Sequence, residues 1–504
     1  MNLSVKPIIY AVGLTLALIV GGCNPDNLNV APGSPTEDSY FKSELDFEAL
    51  VRGIYAKQSE LYGYRAGNYV HAVRHLPGDD ITTTGSNPLE TFASLQPAVG
   101  TPSNYYATLY RIIYRANTAL DKISGVADGV YLTAGLKNRH RGEALFMRGL
   151  SYFWLANTFG TSPLRTERLE SLEDVAAPSV ADGQLLDQAI TDFTEAASLL
   201  PETWDAANAG RATSNAANGM LGKCLVFRAT INKTTADYSA AISAFAKIKN
   251  RSLVADFADN FAADRENNVE SLFEFQASRP PSTDNTSLPD DFEPGGVGST
   301  SGYWGFYEPN NSLLFGTARF IATKKLLAAF DPADPRREVT LNPANRDIRK
   351  YWTRDQKTSN PGASANNARI LRLADVLLLQ AEAIVQSGGS MADAVALVNQ
   401  VRTRARNMKT GGTVPANLPT TLTVVEAMDA IRNERFVELA GEESHRWFDL
   451  RRWHKGGQIN LASGFDFSSD QPTQFGFDVN KNLLFPIPLS ETDNNPNVKQ
   501  NPGY

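Results

Sequence analysis

Residues 369–406 read RILRLADVLLLQAEAIVQSGGSMADAVALVNQVRTRAR, and this stretch decides the fold class. On one side of Gly388-Gly389 stand Leu373, Leu377, Ala381 and Ala383-Ile384; on the other stand Ala394, Leu397, Val398 and Val401. Steps of three and four residues put each set on one helix face. The spacing therefore predicts a helix over Arg369–Gln386, a glycine turn, and a helix over Met391–Arg406 opened by Ser390, with Asp393 three residues on as in a capping box. Alanines fall where the two helices must come close. A hairpin of this size with alternating small and large residues resembles a tetratricopeptide repeat.

Working outward, Thr213 to Asn250 reads as a second such hairpin and Lys137 to Leu200 as a third, widened by the loop Thr161 to Asp182. A fourth completes the set expected. Further stripes run along Phe41 to Leu61 and Tyr105 to Ile123. Pro163, Pro201 and Asn232-Lys233 stand where helices should stop. Strand patterns are few: Ser271 to Ala277 and Leu483 to Ile487. The expected fold is mainly α, tetratricopeptide-like hairpins within 137–250 and 369–441, with a loop-rich subdomain at about 251–368, a C-terminal segment 442–504 and a few short strands.

At 504 residues and 42% hydrophobic composition the chain can bury a large core. With 48 basic against 55 acidic side chains, net −7, nothing favours a nucleic-acid backbone as partner. The two cysteines make no disulfide scaffold, and no Cys/His spacing suggests zinc. Cys224 lies within a helical pattern and reads as a buried, inert thiol.

Lys6 precedes an apolar run, Ile8 to Val20, too short for the roughly 20 residues that span a bilayer but suited to a signal peptide. It ends in Gly21-Gly22-Cys23, which resembles a lipobox: cleavage after residue 22, acylation of Cys23 with palmitate-like chains, and a flexible tether over 23–36.

Several residue groups invite chemistry. Glu434 and Glu438 stand one helical turn apart, as a glycosidase pair would. Arg435, Arg446, Arg451 and Arg452 surround them in sequence, and guanidinium groups lower carboxylate pKa values where a general acid needs one raised. A structural ion-pair network is the preferred reading. His71 and His75 lack an evident third metal ligand, and Asp79-Asp80 and Asp290-Asp291 read as solvated loop carboxylates rather than calcium ligands. No metal or cofactor is implied. The segment Arg279 to Gly316 is different, because a loop longer than about 15 residues usually has a function or is disordered. It sets Tyr303, Trp304, Phe306 and Tyr307 among glycines, and flat rings suit the apolar face of a sugar. The competing reading is that Tyr303 to Tyr307 form a local core lid.

A series of motifs runs along the chain: Phe47–Tyr55, Tyr106-x3-Tyr110 through Ala116-Asn117, Glu143–Phe153 with Phe159-Gly160-Thr161-Ser162-Pro163-Leu164, and Arg369–Leu378. It continues with Glu434-Arg435-x2-Glu438 through Arg452-Trp453 and with Pro486-Ile487-Pro488 through Tyr504. Taken together these motifs resemble the SusD/RagB family. Tyr106 stands where tryptophan is common. The resemblance implies a SusD-like alpha-alpha superhelix. It further implies a non-enzymatic lipoprotein at the cell outer membrane, facing outward, that binds an oligosaccharide or similar nutrient beside a SusC-like TonB-dependent transporter. It implies ligand contacts in the loop between the first two helices, with Asp80, Asn87, Asn104 and Tyr105 as candidates, and in a later aromatic loop, with Tyr303, Trp304 and Tyr307. The alternatives are a surface glycoside hydrolase and a transporter lid for peptide or other non-sugar cargo. Replacing Cys23 by alanine should abolish metabolic labelling with alkyne-palmitate and release the protein from the membrane fraction; a variant still labelled and membrane-bound would exclude Cys23 as the acylation site.

Overall fold

The computed structural model describes residues 40–62, 67–171, 173–277, 307, 319–351, 366–443, 445–462, 470 and 475–504. Cys23 and its tether, Asp290-Asp291, Tyr303 and Trp304 lie outside the described residues. The first helices are α1 Glu44–Ala56, α2 Ser59–Tyr62, α3 Gly67–His75, α4 Pro88–Thr91, α5 Gly100–Gly125, α6 Leu136–Thr158 and α7 Gln184–Leu199, of which α1, α5, α6 and α7 fall on the apolar stripes. They continue as α8 Ser214–Asn232, α9 Thr235–Phe245, α10 Lys324–Ala329, α11 Arg336–Thr340, α12 Leu373–Gln386, α13 Met391–Asn407, α14 Val424–Glu438, α15 His445–Lys455 and α16 Leu489–Asn494. Caps match the sequence. The Ser390 hydroxyl accepts from Asp393 N at the start of α13, and Lys233 takes a left-handed backbone at the end of α8.

Three helical hairpins stack: α6 on α7, α8 on α9 and α12 on α13. The α8–α9 contact is close because residue 222 is glycine; a Cβ there would come within 2.2 Å of the Phe245 ring. α9 packs on α12 although the 251–368 excursion separates them in sequence. α14 then packs on α12, and α15 on α8. Cys224 is fully buried in α8, and burial pushes its thiol pKa well up, consistent with an inert side chain.

The strands are β1 Ile81–Thr83, β2 Ser271–Phe275, β3 Phe320–Ala322 and β4 Ala368–Arg372. β1 pairs antiparallel with β3, and β2 with β4. Two expectations need correcting. Arg369–Arg372 is not the first turn of a helix; it pairs with β2, and the helix starts only at Leu373. Leu483–Ile487 is not a strand, since Pro486 and Pro488 lack backbone N–H donors. Its remaining groups are held one by one, Phe485 N donating to Thr158 O and Asn501 Nδ2 to Phe485 O.

The carboxylates and guanidiniums of the C-terminal half form a buried lattice. Arg372 donates to Glu438 at 2.7 Å, to Glu270 at 2.8 Å and to Glu442 at 2.7 Å. Arg336 bridges Glu434 and Glu438, and Arg404 reaches Glu270 and Glu438. Behind this set Asp375 accepts from Lys223 and Arg435, Asp449 from Arg435 and Arg452, and Glu382 from Arg452. Burial alone would raise the pKa of Glu438, but Arg404, Arg372 and Arg336 hold it well below 4.5. Replacing Glu438 by alanine leaves three buried guanidiniums short of a partner and should cost about 3–5 kcal/mol. Because the folded pKa is depressed, the contribution is present above about pH 4.5 and disappears as pH falls below it. Urea unfolding of both proteins at neutral and acid pH checks the magnitude and the sign; equal wild-type and variant stability at neutral pH would contradict the assignment.

Candidate functional site

β1 and β3 join parts of the chain that lie far apart in sequence. Thr83 faces Phe320, Thr82 faces Ile321 and Ile81 faces Ala322, and Thr84 N donates to Arg319 O at 3.0 Å. The loop that leaves β1 and the segment that enters β3 therefore meet at one edge. Asn87, three residues beyond Thr84, is the N-cap of α4, its Oδ1 accepting from Leu89 N at 2.9 Å, with the residue partly exposed. Asn104 is exposed on the first turns of α5.

The carboxylates around β1 are buried, not solvated as the sequence suggested. Asp79 meets Arg446 and the Lys325 ammonium. Burial would raise its pKa, yet those two cations hold it below the ordinary value. Asp80 accepts from Gly441 N at 2.9 Å, and burial raises its pKa to about 6 against that hydrogen bond. Glu90, on α4, accepts from the Thr82 hydroxyl at 2.5 Å and from Thr83 N at 3.2 Å. Burial raises it to about 7. Sequence reasoning missed Glu90, because only the pairing of β1 carries Thr82 and Thr83 to it.

Two of the predicted platforms are core residues. Tyr307 is 1% exposed, its ring edge-on to His71 at 4.7 Å and its hydroxyl donating to Gly441 O at 3.2 Å. Gly441 is required there: its φ is +68°, and a Cβ would lie 3.1 Å from the Tyr307 hydroxyl. Tyr105 is fully buried in an aromatic box around the Arg74 guanidinium, which lies 4.7 Å from the Tyr62 ring centroid, 4.4 Å from that of Trp154 and 5.4 Å from that of Tyr105. Arg74 also pairs with Glu443 at 2.6 Å. Tyr105, Tyr307 and Asp80 are thus occupied by internal contacts and offer no surface to a ligand, which corrects the expectation for these three. For Tyr307 the core-lid reading is the one observed.

His71 and His75 lie side by side in α3, ring centroids 4.3 Å apart, and burial drives the pKa of His75 down to about 3. Among the described residues no three His, Cys, Asp or Glu side chains cluster as a metal site. Glu434 and Glu438 are 1% and 0% exposed inside the arginine lattice. No helix among the described residues is long and apolar enough to cross a membrane.

Residues 331–504 match the SusD family, and residues 34–226 match the family described as starch-binding and associating with the outer membrane. A SusD-like protein of Formosa agariphila is 26% identical across 97% of this chain and 98% of its own. A SusD homologue from Bacteroides thetaiotaomicron superposes with a TM-score of 0.74, covering 93% of this chain and 99% of its own at 22% identity. A laminarin-binding SusD-like protein gives 0.66, covering 92% and 100% at 23% identity. At such identities the two structures speak for the fold.

The raised carboxylates give a pH signature. Between its ordinary value of 4.5 and about 7 the folded chain keeps a proton on Glu90 that the unfolded chain has released, so stability falls as pH rises through that window. Asp80 acts in the same sense up to about 6. Glu90→Gln should flatten the decline in melting temperature from about pH 5 to 8; an unchanged slope would show that Glu90 ionises freely.

Proposed function

The chain belongs to the SusD family, and we propose that it captures an oligosaccharide at the cell surface and delivers it to a SusC-like TonB-dependent transporter without altering it. The observation that carries this reading is the β1–β3 pairing, which gathers the loop beginning at Thr84 and the chain returning from the aromatic stretch at one edge of a rigid helical body. The likeness of nearly the whole chain to SusD proteins supports it, as do a matching family described as starch-binding and a structural neighbour described as laminarin-binding. Anchorage through acylated Cys23 at the outer membrane is part of the proposal and is supported by the lipobox pattern and by that family's description.

We assign ligand contact to Tyr303 and Trp304, whose rings suit the CH face of a sugar, with the partly exposed Asn87 and the exposed Asn104 as further polar candidates. Tyr307 serves as the hinge post on which the stretch ends. The glycosidase alternative built on Glu434 and Glu438 loses its basis, because both carboxylates are sealed from solvent and spent on arginines.

A glycan array followed by titration of the best glycan tests the proposal. Trp304→Ala and Tyr303→Ala should each weaken binding by about tenfold or more while leaving the melting temperature unchanged; Tyr307→Ala should lower the melting temperature instead. Unchanged affinity in both Trp304→Ala and Tyr303→Ala removes them from the site. Release of reducing ends from a bound glycan overturns capture without chemistry, and binding of peptides but no glycan favours the non-sugar cargo.

A further inference from the structure

A cleft of about 120 Å³ lies apart from every residue assigned above to a ligand, between the C-terminal end of α1, the turn 207–211 and the end of β2. Its walls are held open. The Tyr55 hydroxyl donates to Glu143 at 2.8 Å and accepts from Ala212 N at 3.0 Å, which fixes that ring. Phe275 is stacked on Tyr62 with centroids 4.9 Å apart, and Gln276 exchanges amide hydrogen bonds with Asn267 at 2.8 and 3.0 Å. Gln276 also lies across Gly210, where a Cβ would come within 2.2 Å of it. Side chains pinned in this way do not collapse into the space between them.

One polar group opens into that space unused. Gln58 lines the cleft and is 2% exposed. Its Nε2 reaches only the Met147 sulfur, at 3.8 Å, and among the described residues its Oε1 accepts no hydrogen bond. That oxygen is nevertheless not sealed in protein, so a molecule in the cleft can reach it. The charged groups of the lining are spent: Glu274 accepts from Asn267 N and Asn367 Nδ2, Arg211 holds Glu143, and Arg52 holds Glu48. Buried polar atoms are almost always satisfied, so an amide oxygen left open asks for a donor. The Tyr55 and Phe275 rings ask for an apolar and, best of all, aromatic neighbour. A space of about 120 Å³ is close to the ~150 Å³ of an apolar cavity that takes benzene, so one ring fits.

We infer that the cleft between α1 and β2 is a second binding site, for a single aromatic ring that carries a hydrogen-bond donor, a phenol or an indole, with the donor on Gln58 Oε1 and the ring against Tyr55 and Phe275. It stands independently of the aromatic loop and of the cargo that loop takes.

Ligand-observed NMR titration of the full mature chain tests it, with phenol, indole and toluene as probes. Phenol or indole should bind, and toluene, which has no donor, should bind about fivefold more weakly. Gln58→Met keeps the length of the side chain and removes its amide, so it should bring phenol down to the affinity of toluene with the melting temperature unchanged. The comparison of phenol with toluene on wild type needs no variant and therefore decides even if Gln58→Met folds poorly. N-acetyltryptophanamide separates the sources of the ring: binding as tight as indole assigns it to a protein side chain, and binding of the free ring alone assigns it to a small molecule. Absence of binding by both phenol and indole, toluene binding as tightly as phenol, or phenol affinity unchanged in Gln58→Met would each overturn the inference.

Discussion

Arg372 is the point on which the rest of the structure converges. It leaves β4 at the junction with α12 and donates to three carboxylates from two distant parts of the chain, Glu270 before β2, and Glu438 at the end of α14 with Glu442 just beyond it. Taking these charges from water is costly, and the cost is offset only when every lone pair and proton finds a partner in good geometry. That constraint makes the lattice all or nothing. Arg336, Arg404 and Lys350 complete it, and each is anchored in a different element or connection. Apolar packing would hold α12 against α14 in many registers; bidentate guanidinium contacts accept very few.

The lattice also explains how a stack of hairpins tolerates a long excursion. Between α9 and α12 the chain departs over 251–368, yet it returns in register because β4 pairs with β2 and because Arg372 and Arg369 are engaged from the excursion itself, Arg372 by Glu270 and Arg369 by Ala262 O. The excursion contributes β3, which pairs with β1 from the N-terminal half. Three further contacts secure that joint: Asp79 with Arg446, Asp80 with Gly441 N, and Tyr307 with Gly441 O. Gly441 and Arg446, to either side of the lattice residue Glu442, thus clamp both flanks of the proposed capture surface. Specificity can vary in the loops while the clamp stays fixed.

The helices were legible because an amphipathic stripe is a local signal: Leu373, Leu377 and Ala381 need only their own spacing to declare a face. The ion-pair character of Glu434 and Glu438 was legible too, since a carboxylate crowded by arginines in sequence stays crowded on a helix. Arg369–Arg372 read wrongly as helix because a strand of five residues depends on a partner about a hundred positions away, and no local pattern names that partner. Asp79 and Asp80 read as solvated because two adjacent acids in a turn look alike whether or not cations from α10 and α15 close over them. Tyr105 and Tyr307 carry the same residue type as a ligand platform, and only burial against Arg74 and His71 tells the two roles apart. Glu90 gave no sign at all.

By itself, the sequence determined the helical hairpins, the family, and the presence of a glycine-rich aromatic stretch, because periodicity, caps and ordered motifs are written in consecutive residues. The tertiary structure alone decided which polar and aromatic side chains are internal fasteners and which edge the distant loops share. The physical reason is that burial and pairing are properties of groups brought together across hundreds of residues, and the free energy of a charge or a ring depends on what surrounds it more than on what precedes it in the chain.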